Sequence, residues 1–338
     1  LKVAVIGLGH IGGSLTKALL SSGVDVVGYD IDKSTLTSCG KLGISCTSKI
    51  DEALDGAQVV FLAVPTPVVL DATREILAVL EGAQTIDQDV IVSDLSSSKT
   101  KVVEESYDIV EEAKARGVRV EFLSLHPMTG REGSGFMTSE GDLILGCTWA
   151  VIIHQALSAV TVVKVADLLS KLQARLLFMD WESHERAVGA LSHLPHLISL
   201  AYASLIYRSD ESRRGFILGA GSFRDMTRVA YTDPEKVAAM VVPNSRTLSD
   251  LLDRLNVEIE SIRSSLSSEE EFVRSFSQVQ TFLRNASERT CLESTNTLVC
   301  CEGSLFKELQ RISQDGSVVL QVERRLEDDS YFITFFTR

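Results

Sequence analysis

What the chain lacks sets the first limits. It has no Lys/Arg-rich run, and 33 basic residues stand against 46 acidic ones, for a formal net charge of −13. Such a balance repels polyanions, so neither nucleic acid nor an anionic membrane surface is an expected partner. An anionic substrate gains nothing from the global field and needs a local cationic pocket. No apolar run approaches the roughly 20 residues of a membrane span. No charged leader stands ahead of the first strand-like segment. The six cysteines, at 39, 46, 147, 291, 300 and 301, form no Cys-x-x-Cys pair. That scatter argues against a disulfide framework and for reduced thiols in a cytoplasmic protein, with Cys300 and Cys301 in a strand and not at a metal.

What is present is an alternation of strands and helices. Lys2–Ile6, Asp25–Tyr29, Gln58–Val64, Val90–Ser93 and Val118–Leu125 read as strands. Gly12–Ser22, Val68–Leu80 and Lys99–Arg116 read as the helices between them. This order predicts an α/β fold, a Rossmann-type doubly wound sheet, completed by strands at Thr148–Ile153 and Arg175–Met179. From Trp181 the texture changes to long helical patterns at Glu182–Tyr207, Asp233–Asn256 and Val257–Leu283. Apolar-striped helices need a partner surface, and a second copy of the chain is the natural one. A last shift near Arg289 introduces a β-α-β-β tail, with Val318–Val322 and Tyr331–Phe336 pairing as a hairpin across Glu327–Asp329. The expected division is therefore a dinucleotide-binding domain over 1–179, an all-helical dimerisation and substrate domain over 180–289, and a small α+β segment over 290–338.

Gly7-Leu8-Gly9-His10-Ile11-Gly12 matches G-x-G-x-x-G between a strand and a helix. The first glycine permits the tight turn, the second lets backbone approach a pyrophosphate, and the third allows close helix–strand packing. Asp30 ends the second strand, where it can accept hydrogen bonds from the adenosine ribose. Its charge repels a 2′-phosphate and favours NAD over NADP, although Lys33 lies nearby. Val64 and Pro65 end another strand close to the expected dinucleotide; the prolines of Pro65-Thr66-Pro67 serve equally as loop punctuation.

His126 opens HPMTGREGSG at the carboxyl end of the expected Val118–Leu125 strand, where ligands bind in open α/β sheets. Farther on, Ser192-His193-Leu194-Pro195-His196 interrupts a helical pattern with a proline. Its two histidines suit either a buried core or a metal, and no carboxylate or cysteine completes a ligand set, so no metal is expected. Arg228 closes Phe223-Arg224-Asp225-Met226-Thr227-Arg228. It is either part of a solvated helix start or a planar fork for a carboxylate.

Taken with Asp94-x-x-Ser97-x-Lys99 and His126-Pro-Met-x-Gly130, these motifs give a chain that resembles the prephenate/arogenate dehydrogenase family of tyrosine biosynthesis over about residues 1 to 265. The resemblance implies a Rossmann domain followed by a helical dimerisation domain, a homodimer, and NAD as cofactor. It implies NAD-dependent oxidative decarboxylation of prephenate to 4-hydroxyphenylpyruvate, or of arogenate to tyrosine. His126 is then the base that takes the substrate hydroxyl proton, since an unperturbed imidazole with a pKa of about 6.5 is largely neutral at pH 7. Ser97 hydrogen-bonds that hydroxyl or aligns His126. Arg228 clamps the ring carboxylate, His196 reads the substrate side chain with Ser192 beside it, and Glu132 and Asp225 sit at the pocket mouth. Arg131 departs from the family pattern, adding a cation near the substrate or pairing with Glu132 or Asp225. The tail is too short for the amino-acid-binding regulatory domain of some relatives, so tyrosine feedback through it is not expected.

Two rivals share the scaffold. β-Hydroxyacid dehydrogenases use a lysine on the long helix after the domain junction, and Trp181–Arg208 contains none. A non-catalytic NAD-responsive protein could dispense with the base or the carboxylate clamp, yet His126, Ser97 and Arg228 are all present.

Overall fold

The computed structural model describes residues 1–82, 89–131, 133–209, 217–288, 294–325 and 330–337. Two compact units emerge, Leu1–Trp181 with Leu292–Arg338, and Glu182–Cys291. The 290–338 segment, expected to stand apart, therefore groups with the nucleotide-binding region.

In the first unit, β1 (Lys2–Ile6), β2 (Asp25–Tyr29), β3 (Cys46–Thr47), β4 (Val59–Leu62), β5 (Val90–Asp94) and β6 (Val120–Phe122) form a sheet of order β3-β2-β1-β4-β5-β6. Every pairing in it is parallel. The helices α1 (His10–Ser21), α2 (Lys33–Lys41), α3 (Ile50–Leu54), α4 (Val69–Gly82) and α5 (Val102–Ala115) connect its strands. The central strands are apolar and buried from Val3 to Ile6 in β1 and from Val59 to Leu62 in β4 because both faces are covered. Val3 and Val5 of β1 enter one core cluster, while Ala4 and Ile6 enter the other.

The expected single strand over Val118–Leu125 is broken. Leu123 still donates its N–H to Val92, but Ser124 accepts from Ile152 on a neighbouring strand, so the chain leaves one sheet for another. It continues as β7 (Leu125–Pro127), and His126 lies inside this second strand and not after the first. β7 pairs antiparallel with β8 (Thr148–Ile152), which runs parallel to β9 (Arg175–Met179) after α6 (Ala159–Ser170). β8 and β9 thus belong to a separate sheet of order β10-β12-β11-β9-β8-β7.

The tail supplies the other half of that sheet: β10 (Ser294–Cys301), β11 (Val318–Arg324) and β12 (Ser330–Thr337), with a helix at Leu305–Gln314. Val319 of β11 pairs with Leu176 of β9, and Ser313 accepts the Phe178 N–H at 2.8 Å. Leu305, Leu309 and Ile312 place one helix face in the core, which is why this segment does not stand alone. The β11 and β12 strands pair up to Arg324 and Tyr331; the expected turn at Glu327–Asp329 lies outside the described residues.

The second unit is helical. α7 (Trp181–Val188) passes through a π-helical turn at Gly189–His193 into α8 (Leu194–Tyr207), and helices follow at Gly221–Thr227, Pro234–Val241, Ser245–Ser265 and Glu269–Glu288. The break expected at Asn256/Val257 falls instead after Ser265. There Ser268 accepts from the Glu271 N–H, and Glu269, Glu270 and Glu271 place negative charge at the new helix's N-terminus.

Candidate active site

The glycine cradle has the shape a dinucleotide needs. Gly7 adopts φ +91, and a Cβ there would stand 2.8 Å from the Ala63 carbonyl and 3.0 Å from Val64 Cγ1. A Cβ on Gly12 would lie 1.9 Å from the Gly7 carbonyl, so no larger residue fits against the turn. Gly9 faces open space and caps α1 without a side-chain hydrogen bond. The helix therefore presents bare N–H groups and the positive end of its dipole to a pyrophosphate. Leu8 is fully buried beneath Gly28, Ile11 packs partly into the core, His10 and Val64 are half-buried, and Pro65 is exposed.

Asp30 is placed as expected at the end of β2, with part of its capacity already used. Its Oδ2 accepts the Leu8 N–H at 2.8 Å and its Oδ1 the Asp32 N–H at 2.9 Å. A carboxylate has acceptor positions beyond these two, so ribose hydroxyls can still be held. Asp32 is a second anion close by. Hydrogen bonds from the Ser34 and Thr35 side chains and backbones hold its carboxyl far below the usual range. Two adjacent carboxylates outweigh Lys33 in disfavouring a 2′-phosphate.

His126 is half-buried between two buried neighbours, Leu125 and Pro127. Strand alternation turns it to the face opposite theirs. Behind it lies a polar link that is fully buried. Lys99 Nζ donates to Asp94 Oδ2 at 2.5 Å and to the Leu125 carbonyl at 2.8 Å, and both side chains are 0% exposed. Asp94 Oδ2 also accepts from the Ser96 hydroxyl and N–H. Asp94 Oδ1 is buried with no hydrogen-bond partner among the described residues. The loop carrying half-buried Ser97 is thus tied, two residues later, to the residue preceding His126. Lys99 and Asp94 were visible only as letters of a motif. The signal that could have singled them out is a buried apolar strand ending in Asp, followed five positions on by a lysine.

Among the described residues, Arg131 pairs with Glu140, a partner that was not expected. Its Nη1 lies 2.8 Å from Glu140 Oε2, and both side chains are more than half exposed, so this pair contributes little to stability. Glu132 lies outside the described residues.

In the second unit the π turn and Pro195 occur together. Pro195 has no N–H to give the helical ladder, and the widened turn just before it absorbs the misfit. His193 points inward, 1% exposed and 3.4 Å from the Asn244 amide, and burial lowers its pKa to about 4. It is a neutral core histidine. His196 is half-buried, and its Nδ1–H donates to the carbonyl of half-buried Ser192 at 2.9 Å, leaving Nε2 for a ligand. One turn on, Ser199 donates to the Met226 carbonyl at 2.7 Å, fixing α8 against the segment that carries exposed Asp225 and Arg228. An apolar cavity of about 260 Å³ opens beside them, lined by Ile206, Tyr207, Phe223 and Tyr231 among others.

A parallel sheet in 3-2-1-4-5-6 order with a glycine cradle at its first turn defines a Rossmann-type dinucleotide-binding protein. Residues 15–178 match the nucleotide-binding domain of prephenate dehydrogenase, and residues 180–279 match the dimerization domain of the same enzyme. The chain belongs to the prephenate dehydrogenase family. It is 26% identical over 277 residues to prephenate dehydrogenase of Bacillus subtilis, covering 79% of this chain and 71% of that protein. With cyclohexadienyl dehydrogenase of Zymomonas mobilis it shares 27% identity over 274 residues, covering 79% and 89%. Among solved structures, prephenate dehydrogenase from A. aeolicus in complex with hydroxyphenyl propionate and NAD+ superimposes with a TM-score of 0.72 at 26% identity, over 84% of this chain and 98% of that one.

Proposed function

We propose that the protein is an NAD-dependent oxidoreductase that converts prephenate to 4-hydroxyphenylpyruvate by oxidative decarboxylation. The observation that carries this reading is the buried Lys99 link, which ties the Ser97 loop to the strand bearing His126 in the unit that holds the nucleotide cradle. NAD, when bound, supplies the hydride acceptor.

The chain's residues do the rest. His126 accepts the proton of the substrate's 4-hydroxyl as the C4–H pair leaves as hydride and C4–O becomes a carbonyl. Ser97 orients that hydroxyl. The ring carboxylate then departs as CO₂; its bonding pair enters the ring, the carbonyl oxygen is protonated from His126, and a phenol results. Arg228 holds the carboxylate through charge-assisted hydrogen bonds until that point, with Asp225, Glu132 and Arg131 at the entrance. Tyr207, Leu205, Ile217, Leu218 and Val257 leave a broad apolar surface exposed on the second unit, which fits association of two copies through that unit. A reduced cytoplasmic setting agrees with the five described cysteines, all free thiols.

One observation bears on arogenate as the alternative substrate. With Nδ1–H committed to the Ser192 carbonyl, His196 keeps Nε2 for the substrate side chain, the group in which prephenate and arogenate differ. The test is kcat/KM for prephenate and for arogenate under identical conditions. The reading expects turnover of prephenate, with the preference between the two altered in His196→Ala. NAD binding without turnover of either substrate would overturn it.

A further inference from the structure

The segment after His126 grips the helix that begins at the nucleotide cradle. Thr129 donates to the Leu143 carbonyl at 3.0 Å, closing the base of a loop that carries Arg131. Within it, short turns form at Phe136–Thr138 and Gly141–Leu143. Along one stripe of α1, at helical spacing, stand the loop's anchors. His10 Nδ1 meets Thr138 Oγ1 at 2.9 Å; Ser14 Oγ accepts the Glu140 N–H at 3.0 Å; Lys17 Nζ donates to the Ser139 carbonyl at 2.7 Å and lies 4.5 Å from the Phe136 ring centre. Gly13 is bare because a Cβ there would come within 2.7 Å of Ser139 Oγ.

Of these anchors, His10 alone belongs to the fingerprint itself. It occupies the first position of α1, in the turn whose N–H groups face the pyrophosphate. The Thr138 hydroxyl donates to the Gly135 carbonyl at 3.0 Å, so its lone pair is what His10 Nδ1–H meets. One residue therefore touches both the cofactor's end of the helix and the loop leading away from the base.

We propose that His10 is a positioning residue that couples cofactor occupancy to the placement of the Gly135–Leu143 segment. An anion at the cradle fixes the first turn of α1, and the His10–Thr138 hydrogen bond passes that order to the loop. By linkage, a placed loop in turn favours cofactor binding. This deepens the functional reading, on which the loop's role toward substrate rests, but the coupling itself is measurable without substrate.

The experiment is amide hydrogen exchange of residues 136–143 in the full chain, with and without saturating NAD. It compares wild type, His10→Leu, Thr138→Val, the double variant, Thr138→Ser and Lys17→Ala. In wild type NAD slows exchange in this segment. His10→Leu and Thr138→Val each reduce that NAD-induced slowing by about fivefold, the scale of one neutral hydrogen bond. The double variant reduces it no further, and Thr138→Ser restores it. Lys17→Ala speeds exchange in both states while leaving the NAD-induced ratio intact, which separates coupling from mere anchoring. Unaltered slowing in His10→Leu, or no NAD effect in wild type, overturns the proposal. NAD-induced protection with no turnover of prephenate or arogenate leaves the coupling standing and defeats the functional reading instead.

Discussion

Behind His126, Lys99 and Asp94 are both 0% exposed and paired with each other, and Lys99 also donates to the Leu125 carbonyl, so the proposed base rests on groups that solvent does not reach. On the second unit, Asp225 and Arg228 lie at the surface, and Tyr207, Ile217 and Leu218 are exposed by 82%, 86% and 78%. The proposed proton-transfer groups lie in the first, packed unit. The proposed carboxylate clamp lies on the second, where large apolar side chains are exposed. The contrast teaches that the proposed base is held by burial within the chain, whereas the proposed clamp stands on an exposed surface.

The largest way to break the first half is to remove the buried cation. Lys99→Met strands Asp94 without its counter-ion and should cost about 3–5 kcal/mol of stability, whereas replacing both partners with Asp94→Asn and Lys99→Met recovers much of the loss. Urea unfolding of the three proteins measures this; equal midpoints for the single and double variants would show that the pair is not acting as a unit. A smaller effect is expected on the recognition half. Arg228→Ala should lower kcat/KM for prephenate about 10- to 100-fold, mostly through KM, as loss of a charged hydrogen bond predicts, with NAD affinity unchanged. Steady-state kinetics decide it, and an unchanged KM removes Arg228 from the clamp.

The smallest effect concerns the core of the second unit. His193 stays neutral in the folded protein down to about pH 4, while in the unfolded chain it takes up a proton below its ordinary 6.5. Its contribution to stability is therefore complete above pH 6.5 and is lost as pH falls from there toward 4. His193→Asn should flatten that part of the stability–pH curve, measured by thermal unfolding; an equally steep decline would place the acid sensitivity elsewhere.

The same contrast governs what the sequence disclosed. The nucleotide cradle was legible because glycine at Gly7, Gly9 and Gly12 answers local steric demands that any reader of the chain can state. The helices α1, α4 and α5 followed from periodicity and Pro195 announced an interruption, whereas α2 and α3 were not read and the break between the last long helices was misplaced. Long-range pairing was not legible. Nothing local says that the strand before His126 changes sheets at Leu123–Ser124, or that β11 returns to pair with β9, since those choices are made by partners more than a hundred residues apart in the second case. For the same reason Arg131 could not be matched to Glu140, nor Lys99 to the Leu125 carbonyl, by spacing alone. Residue types marked the candidate site; tertiary contacts decided which groups stand behind it.

The measurement that tests the central claim most directly is product stoichiometry with prephenate and NAD, run beside His126→Asn. The account predicts one NADH and one CO₂ for each 4-hydroxyphenylpyruvate formed by wild type, and a kcat lowered about 10²- to 10⁴-fold in the variant with NAD binding intact. Equal turnover by His126→Asn, or NADH formed without CO₂, would contradict it.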